Sequence, residues 1–302
     1  MDLPEEAAMR DMLALEQRRV ACADPAMPPD ADTAISQIVC RIMSGWKTPS
    51  VVALSRDDLV ELILLRRLLR AGAHEAGALA QLFVRPDAVL DLRDEVQRIA
   101  AFRASHDRDM RALEATRRLW SQMRSEGHGA SLVAALERLD ASDIDLWHRI
   151  VAEHDPADPA QRAAAFWCVR QTACDRSTLA LFLTMLVENE AIPKAAQARD
   201  KALLETVAAI LTQWDAGAYA TAELASLPAA RLDAARRGLT ALLDGLAQRP
   251  GMRRWPDPVG LFEARAGRAP RPRGHWDLAR GMILRAPDPA DYRTATVAEP
   301  LF

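Results

Sequence analysis

Four side chains near the middle of this 302-residue chain carry chemistry that a folded site could use: His148, His154, Cys168 and Cys174. Cys174 stands just before Asp175 in "FWCVRQTACDRSTLALFL", and Leu179, Phe182, Leu183 and Leu186 recur at helical spacing beyond it. Asp175 therefore reads as the N-cap of a helix, its carboxylate accepting from backbone N–H groups of the first turn. A thiol beside such a start can be ionised by the helix dipole and act as a nucleophile, with His148 or His154 as its base. The same position also suits a small apolar side chain, and most cysteines of no assigned role are buried and inert. Burial is the favoured reading, with Cys174 catalysis as the alternative.

Two histidines and two cysteines also make a zinc set. Structural zinc sites, however, bring their ligands in pairs about two to five residues apart. Here His148 and His154, like Cys168 and Cys174, are six apart. Six residues turn a helix through about 240°, so neither pair shares a helix face. The spacing calls for no metal, and nothing else in the chain calls for a cofactor. Phosphate-binding loops, dinucleotide fingerprints, nucleophile elbows and His-Glu-x-x-His are all missing from the sequence.

A different chemistry gathers near the C-terminus. Trp255 and Trp276 flank Arg253, Arg254, Arg271 and Arg273 in a proline-rich stretch. Trp and Arg are the residues most enriched where proteins grip partners, so these six form the candidate partner-binding set. Within the stretch, "EARAGRAPRPRG" is a local basic run whose ordinary reading is a solvated surface. Trp120, Trp147, Trp167 and Trp214 instead fall on apolar stripes and read as packing residues.

The elements that must position these groups are helical. Val89, Leu92, Val96 and Ile99 recur at spacings of three and four, as do Met110, Leu113, Trp120 and Met123 in the next segment. Leu203, Val207, Ile210, Leu211 and Trp214 share one face, and Leu232, Leu239, Leu242, Leu243 and Leu246 another. Ser55 with Asp58 predicts a capped start before "LVELILLRRLL", and Asp158, Pro159 and Gln161 predict a second. Strand signals reduce to "SVVAL" and "GMILRA". Roughly a dozen helices follow, joined by short links near 22–31, 45–55, 126–130, 155–158, 190–193 and 215–219. No fixed-period repeat appears.

Composition sets the bounds. The formal net charge is −3, and only three of the 39 basic residues are lysines (Lys47, Lys194, Lys201). Such arginine and alanine bias fits a GC-rich bacterial genome, and the slight acidity disfavours nucleic acid as a partner. Four cysteines and an acidic N-terminus without a signal-peptide pattern point to a reducing, cytoplasmic setting. No uninterrupted apolar run approaches the ~18 residues of a membrane span.

Trp147, His148, Trp167, Gln171, Cys174, Asp175, Thr178 and Leu179 together resemble a small uncharacterised bacterial helical family with a Trp-x-x-x-Gln-x-x-Cys-Asp-x-x-Thr core. The resemblance is partial. It covers about residues 144–188, the loop after the histidine is "HDPADP" in place of the family's Asn-Trp-Asp, and Ala does not directly follow Thr178. It implies a helical module and no catalytic residue.

The sequence thus predicts an all-α protein: an irregular multi-helix bundle or helix-pair stack over 1–249, with room for a subdivision near 126–142, and a partly ordered Pro/Arg-rich arm over 250–302 that packs on the helical body or on a partner. The expected work is non-catalytic binding of another protein, as an immunity or adaptor protein for a toxin or effector. An enzyme built on Cys174, and nucleic-acid binding through the arm, are the alternatives.

Overall fold

The two start signals read from the sequence sit where helices begin. Ser55 accepts from the backbone of Asp58 and Asp58 returns the bond, and Asp158 accepts from Ala160 and Gln161 ahead of Pro159 at the first helical position. A computed structural model describes residues 3–46, 50–126, 131–248 and 254–293. The protein is all-α. In chain order the described helices are α1 (Glu6–Ala21), α2 (Ala31–Gly45), α3 (Arg56–Arg70), α4 (Ala73–Ala80), α5 (Pro86–Glu126) and α6 (Leu132–Arg138), followed by α7 (Ile144–Glu153), α8 (Pro159–Arg170), α9 (Arg176–Glu188), α10 (Ala191–Ala198), α11 (Lys201–Asp215) and α12 (Ala229–Ala247). Among the described residues the only sheet is a two-stranded antiparallel one, β1 (Trp276–Asp277) with β2 (Met282–Ile283). No described helix is long and apolar enough to cross a membrane.

The chain separates into two compact units, Met1–Asp107 and Arg108–Phe302. In the first, α1, α2 and α3 bury Met9, Leu13, Ile35, Ile38, Val39, Leu59 and Leu62. The "LVELILLRRLL" helix is α3; it buries Leu59, Leu62, Ile63, Leu65, Leu68 and Leu69, while Glu61, Arg67 and Arg70 keep one side of it in solvent. Glu16 lies fully buried among them, accepting from Ser36, Arg66 and Arg19. Burial works to raise its pKa. The Ser36 hydroxyl and the Arg66 guanidinium outweigh that and hold the carboxyl below the ordinary range.

The second unit is built around α9, which is buried at every position from Ser177 to Thr184. Helices α7, α8, α11 and α12 supply Trp147, Ile150, Ala164, Val207, Ile210, Leu239 and Leu243 to the same core. Leu261, Phe262, Trp276 and Ile283 join it. The described part of the Pro/Arg-rich arm, 254–293, thus contributes side chains to the core of this unit.

The two stripes read as separate segments over 89–99 and 110–123 belong to one helix, α5. Neither proline nor glycine interrupts the chain between Asp87 and Glu126, so nothing ends the helix between them. Its Val96 enters the core of the first unit, and its Leu113 and Leu119 are buried in the second. The link expected near 190–193 contracts to a turn, because Pro193 sits in the first turn of α10, where a missing N–H costs no hydrogen bond.

Helices α9 and α12 cross at Gly238. A Cβ there would lie 2.5 Å from Cγ1 of Val187. Val187 is β-branched and has little rotamer freedom to move aside. Gly238→Ala gains about 1 kcal/mol of helix propensity and loses about 1–3 kcal/mol to overpacking. Net destabilisation is expected in the natural background, and stabilisation when Val187 is already Ala. Urea midpoints of the four proteins check this; a stabilising Gly238→Ala beside an intact Val187 would contradict the close crossing.

Candidate functional site

Cys174 and Asp175 sit in the turn between α8 and α9. The carboxylate does cap α9: its Oδ1 accepts from Ser177 N at 2.8 Å. Its Oδ2 accepts from the backbone N–H groups of Glu223 (2.6 Å) and Leu224 (3.2 Å), pinning a distant segment to the helix start. Cys174 is fully buried. Its thiol is pushed up by burial and then by the Asp175 charge, so it stays protonated at neutral pH. Neither imidazole serves it. His148 Nδ1 shares a 2.9 Å hydrogen bond with Thr178 Oγ1, and His154 Nδ1 donates to Val151 O at 2.8 Å. Burial lowers the His148 pKa. The geometry thus supplies Cys174 with neither an open face nor a base. Cys168 is likewise buried, with its thiol raised by the same cause. Among the described residues no three His, Cys, Asp or Glu side chains gather so as to hold a metal, so His148, His154, Cys168 and Cys174 form no ligand set.

The aromatic and amide side chains around this turn have structural roles. Trp147 meets Trp167 edge-on, centroids 5.8 Å apart, and the Gln171 side chain donates to Trp167 O. With Asp175 at the cap, they tie α7, α8 and α9 into one packed corner.

The charged side chains converge elsewhere. Asp143 is the N-cap of α7, accepting from Leu146 N at 3.0 Å, and Asp145 lies in its first turn. Both are buried, and both receive arginines from the C-terminal stretch. Arg273 donates from Nε to Asp143 (2.8 and 3.1 Å) and from Nη2 to Asp145 (3.2 Å). It also donates to Asp291 O and stacks 3.9 Å from the centre of the Tyr292 ring. Arg268 forks onto Asp145 at 2.6 and 2.9 Å. Arg271 gives its backbone N–H to Asp145 and its side chain to Asp109 (2.6 Å) and Tyr292 O (2.8 Å).

Three arginines thus meet three carboxylates. Burial raises the Asp145 pKa, but Arg268, Arg273 and the Arg271 N–H prevail and hold it low. At Asp109 burial prevails and the carboxyl is raised. The backbone follows the charges: Arg268 N donates to Glu223 O and Ala225 N to Arg268 O, with Gly267 against Leu224 so closely that a Cβ would lie 2.5 Å from the Leu224 carbonyl carbon. His275 shares a 3.0 Å hydrogen bond with the Tyr292 hydroxyl, which donates to Thr116, and burial pushes the His275 pKa down to about 4.

Of the six candidate partner-binding residues, Arg273 and Trp276 are 0% and 1% exposed and Arg271 is committed to Asp109, so in this conformation they face the protein itself. Arg253 lies outside the described residues. Trp255 is half-buried against the core, and Arg254 is exposed, bridging Asp244 (3.0 Å) and Asp257 (2.9 Å). Arg254 thereby borders a concavity of about 730 Å³ between α12 and the loop 257–264. Leu239 and Phe262 give it buried apolar walls, Val259 stands 83% exposed within it, and Asp233, Asp257 and Glu263 outnumber Arg236. Trp214 Nε1 donates to Val259 O, and Arg265 to Gly260 O, so the loop is held from beneath. Gly260 takes a left-handed φ of 77° that other side chains resist.

Comparison with known protein families, with curated proteins and with solved structures gives no match.

The groups that the sequence did not single out are Asp109, Asp143, Asp145 and Glu223. The spacing of "SDIDLW" before an apolar run marks a helix start. It does not mark which arginines, more than a hundred residues on, those carboxylates hold.

The thiols should rank by access. Under brief iodoacetamide treatment exposed Cys22 is expected to label first, half-buried Cys40 more slowly, and Cys168 and Cys174 only on unfolding. Peptide mass shifts read the order; Cys174 labelling as fast as Cys22 would revive the nucleophile.

Proposed function

We propose that this is a non-catalytic protein–protein interaction protein of a bacterial cytoplasm, of the immunity or adaptor kind, that holds a toxin or effector at the groove between α12 and the loop 257–264. The observation that carries this reading is the exposed Val259 in a pinned loop, beside the apolar Leu239 and Phe262 and ringed mainly by carboxylates. An apolar centre inside a charged rim is the anatomy of a binding surface. Its net negative rim selects a partner segment that presents an apolar side chain between basic ones. The pinned loop lowers the ordering cost of that contact. The buried thiol and the separately occupied imidazoles favour binding over chemistry, as does the commitment of Arg268, Arg271 and Arg273 to the protein's own carboxylates over nucleic-acid contact.

The test is co-purification from the native lysate with the full chain as bait. Val259→Glu, at an exposed side chain, is expected to reduce recovery of the bound protein by about tenfold or more. Asp233→Arg is expected to weaken capture most at low salt, where rim charges count. Undiminished recovery by both variants would reject the groove as the binding surface.

A further inference from the structure

A second concavity of about 370 Å³ opens where the end of α7, the end of α9, α10 and the start of α11 meet, all within the second unit. Small-molecule sites begin at about 300 Å³, so this one has room for a small ligand and little more. Its interior is apolar, walled by Met185, Leu186, Ala195 and Leu203.

The polar groups around it are not equivalent. Asp200 is engaged on both oxygens: Oδ2 receives Arg162 at 2.6 Å, and Oδ1 accepts from Leu203 N as the cap of α11. Arg162 spends its charge on that carboxylate and lies over the Phe166 ring, 5.6 Å from its centre. Lys194 differs. Its ammonium donates to the Asn189 carbonyl at 2.9 Å, and the nearest carboxylate, that of exposed Glu190, is 3.8 Å away. An ammonium has three donors, so this one, 67% exposed, keeps capacity for an anion. The Asn189 side-chain amide makes no hydrogen bond among the described residues. His154, with Nδ1 spent on Val151 O, offers Nε2. An exposed ammonium with donors to spare, only loosely paired with Glu190, an amide donor and an imidazole nitrogen therefore line an apolar hole.

We infer that this cavity binds a small amphipathic monocarboxylate, its tail against Met185, Leu186 and Leu203 and its carboxylate at Lys194 and Asn189. The ammonium would meet the anion in a charge-assisted hydrogen bond, and the tail gains from leaving water. An amine of the same length would place like charge against Lys194. An alcohol would forgo the ionic contact.

The probe is octanoate, titrated into the full chain by calorimetry, with octanol and octylamine as controls. Saturable octanoate binding is expected, about tenfold tighter than octanol, with octylamine weaker still. Lys194→Glu, a change at an exposed side chain, should cost octanoate about tenfold while leaving octanol unchanged. Ala198→Trp, which fills the cavity from an exposed position on its wall, should abolish both. Circular dichroism shows that the variants are folded. Octanol or octylamine binding as tightly as octanoate would overturn the inference, as would octanoate affinity unmoved by Lys194→Glu or no saturation below millimolar octanoate.

Discussion

Arg273 is a permanent cation with no exposed surface, and the second unit is arranged around keeping it satisfied. An ion taken out of water costs several kcal/mol, and this cost is offset only if every donor finds an acceptor in good geometry. Asp143, Asp145, the Asp291 carbonyl and the face of Tyr292 meet that demand together. The two carboxylates are on hand because α7 needs acids at its N-terminus in any case, one as the cap and one in the first turn. A local requirement of one helix thus becomes the receptor for a segment far along the chain. Well-packed apolar side chains could have contributed as much stability. What the ions add is direction: Arg268, Arg271 and Arg273 share Asp145, Arg271 reaches Asp109 and Arg273 reaches Asp143 besides, and a slip of register would strand a buried charge.

That seating bears on the proposed binding role. The loop 257–264 precedes the three arginines, and the segment 265–268 runs beside 223–226. With Arg268 fixed on Asp145 and the Trp214 indole holding Val259 O, the loop is anchored both at its own backbone and just beyond it. The groove against α12 is therefore preorganised. An exposed Val259 on a loose loop would lose its ordering entropy on each binding event; on a held loop that cost falls at folding.

Much of the architecture is local and so was legible. Apolar spacing exposes α11 and α12, and caps with proline mark the starts of α3 and α8. Asp175 reads correctly as a cap from the residues on either side of it. Other features are not local. That Asp175 also grips the backbone at 223 and 224 depends on a segment nearly fifty residues away, and that Arg273 is buried depends on Asp143. By composition alone an Arg- and Pro-rich stretch looks solvated, because nothing in its own sequence reveals the carboxylates waiting for it. The aromatic anchors were the one clue. Trp276 and Phe262 are core residues, and Tyr292 is the ring on which Arg273 rests.

The most direct measurement is native-state amide exchange in the natural chain and in Asp143→Ser. Serine still caps α7, so the variant removes the carboxylate from Arg273 and spares the helix start. Losing one member of a buried pair costs about 3–5 kcal/mol, so exchange at the Arg271 and Leu284 amides, bonded to Asp145 and His275, should accelerate by about a hundredfold or more. The amides of Val207 and Ile210 in α11 should stay protected. Unchanged protection at Arg271 and Leu284 would contradict the claim that buried charge pairing seats this segment.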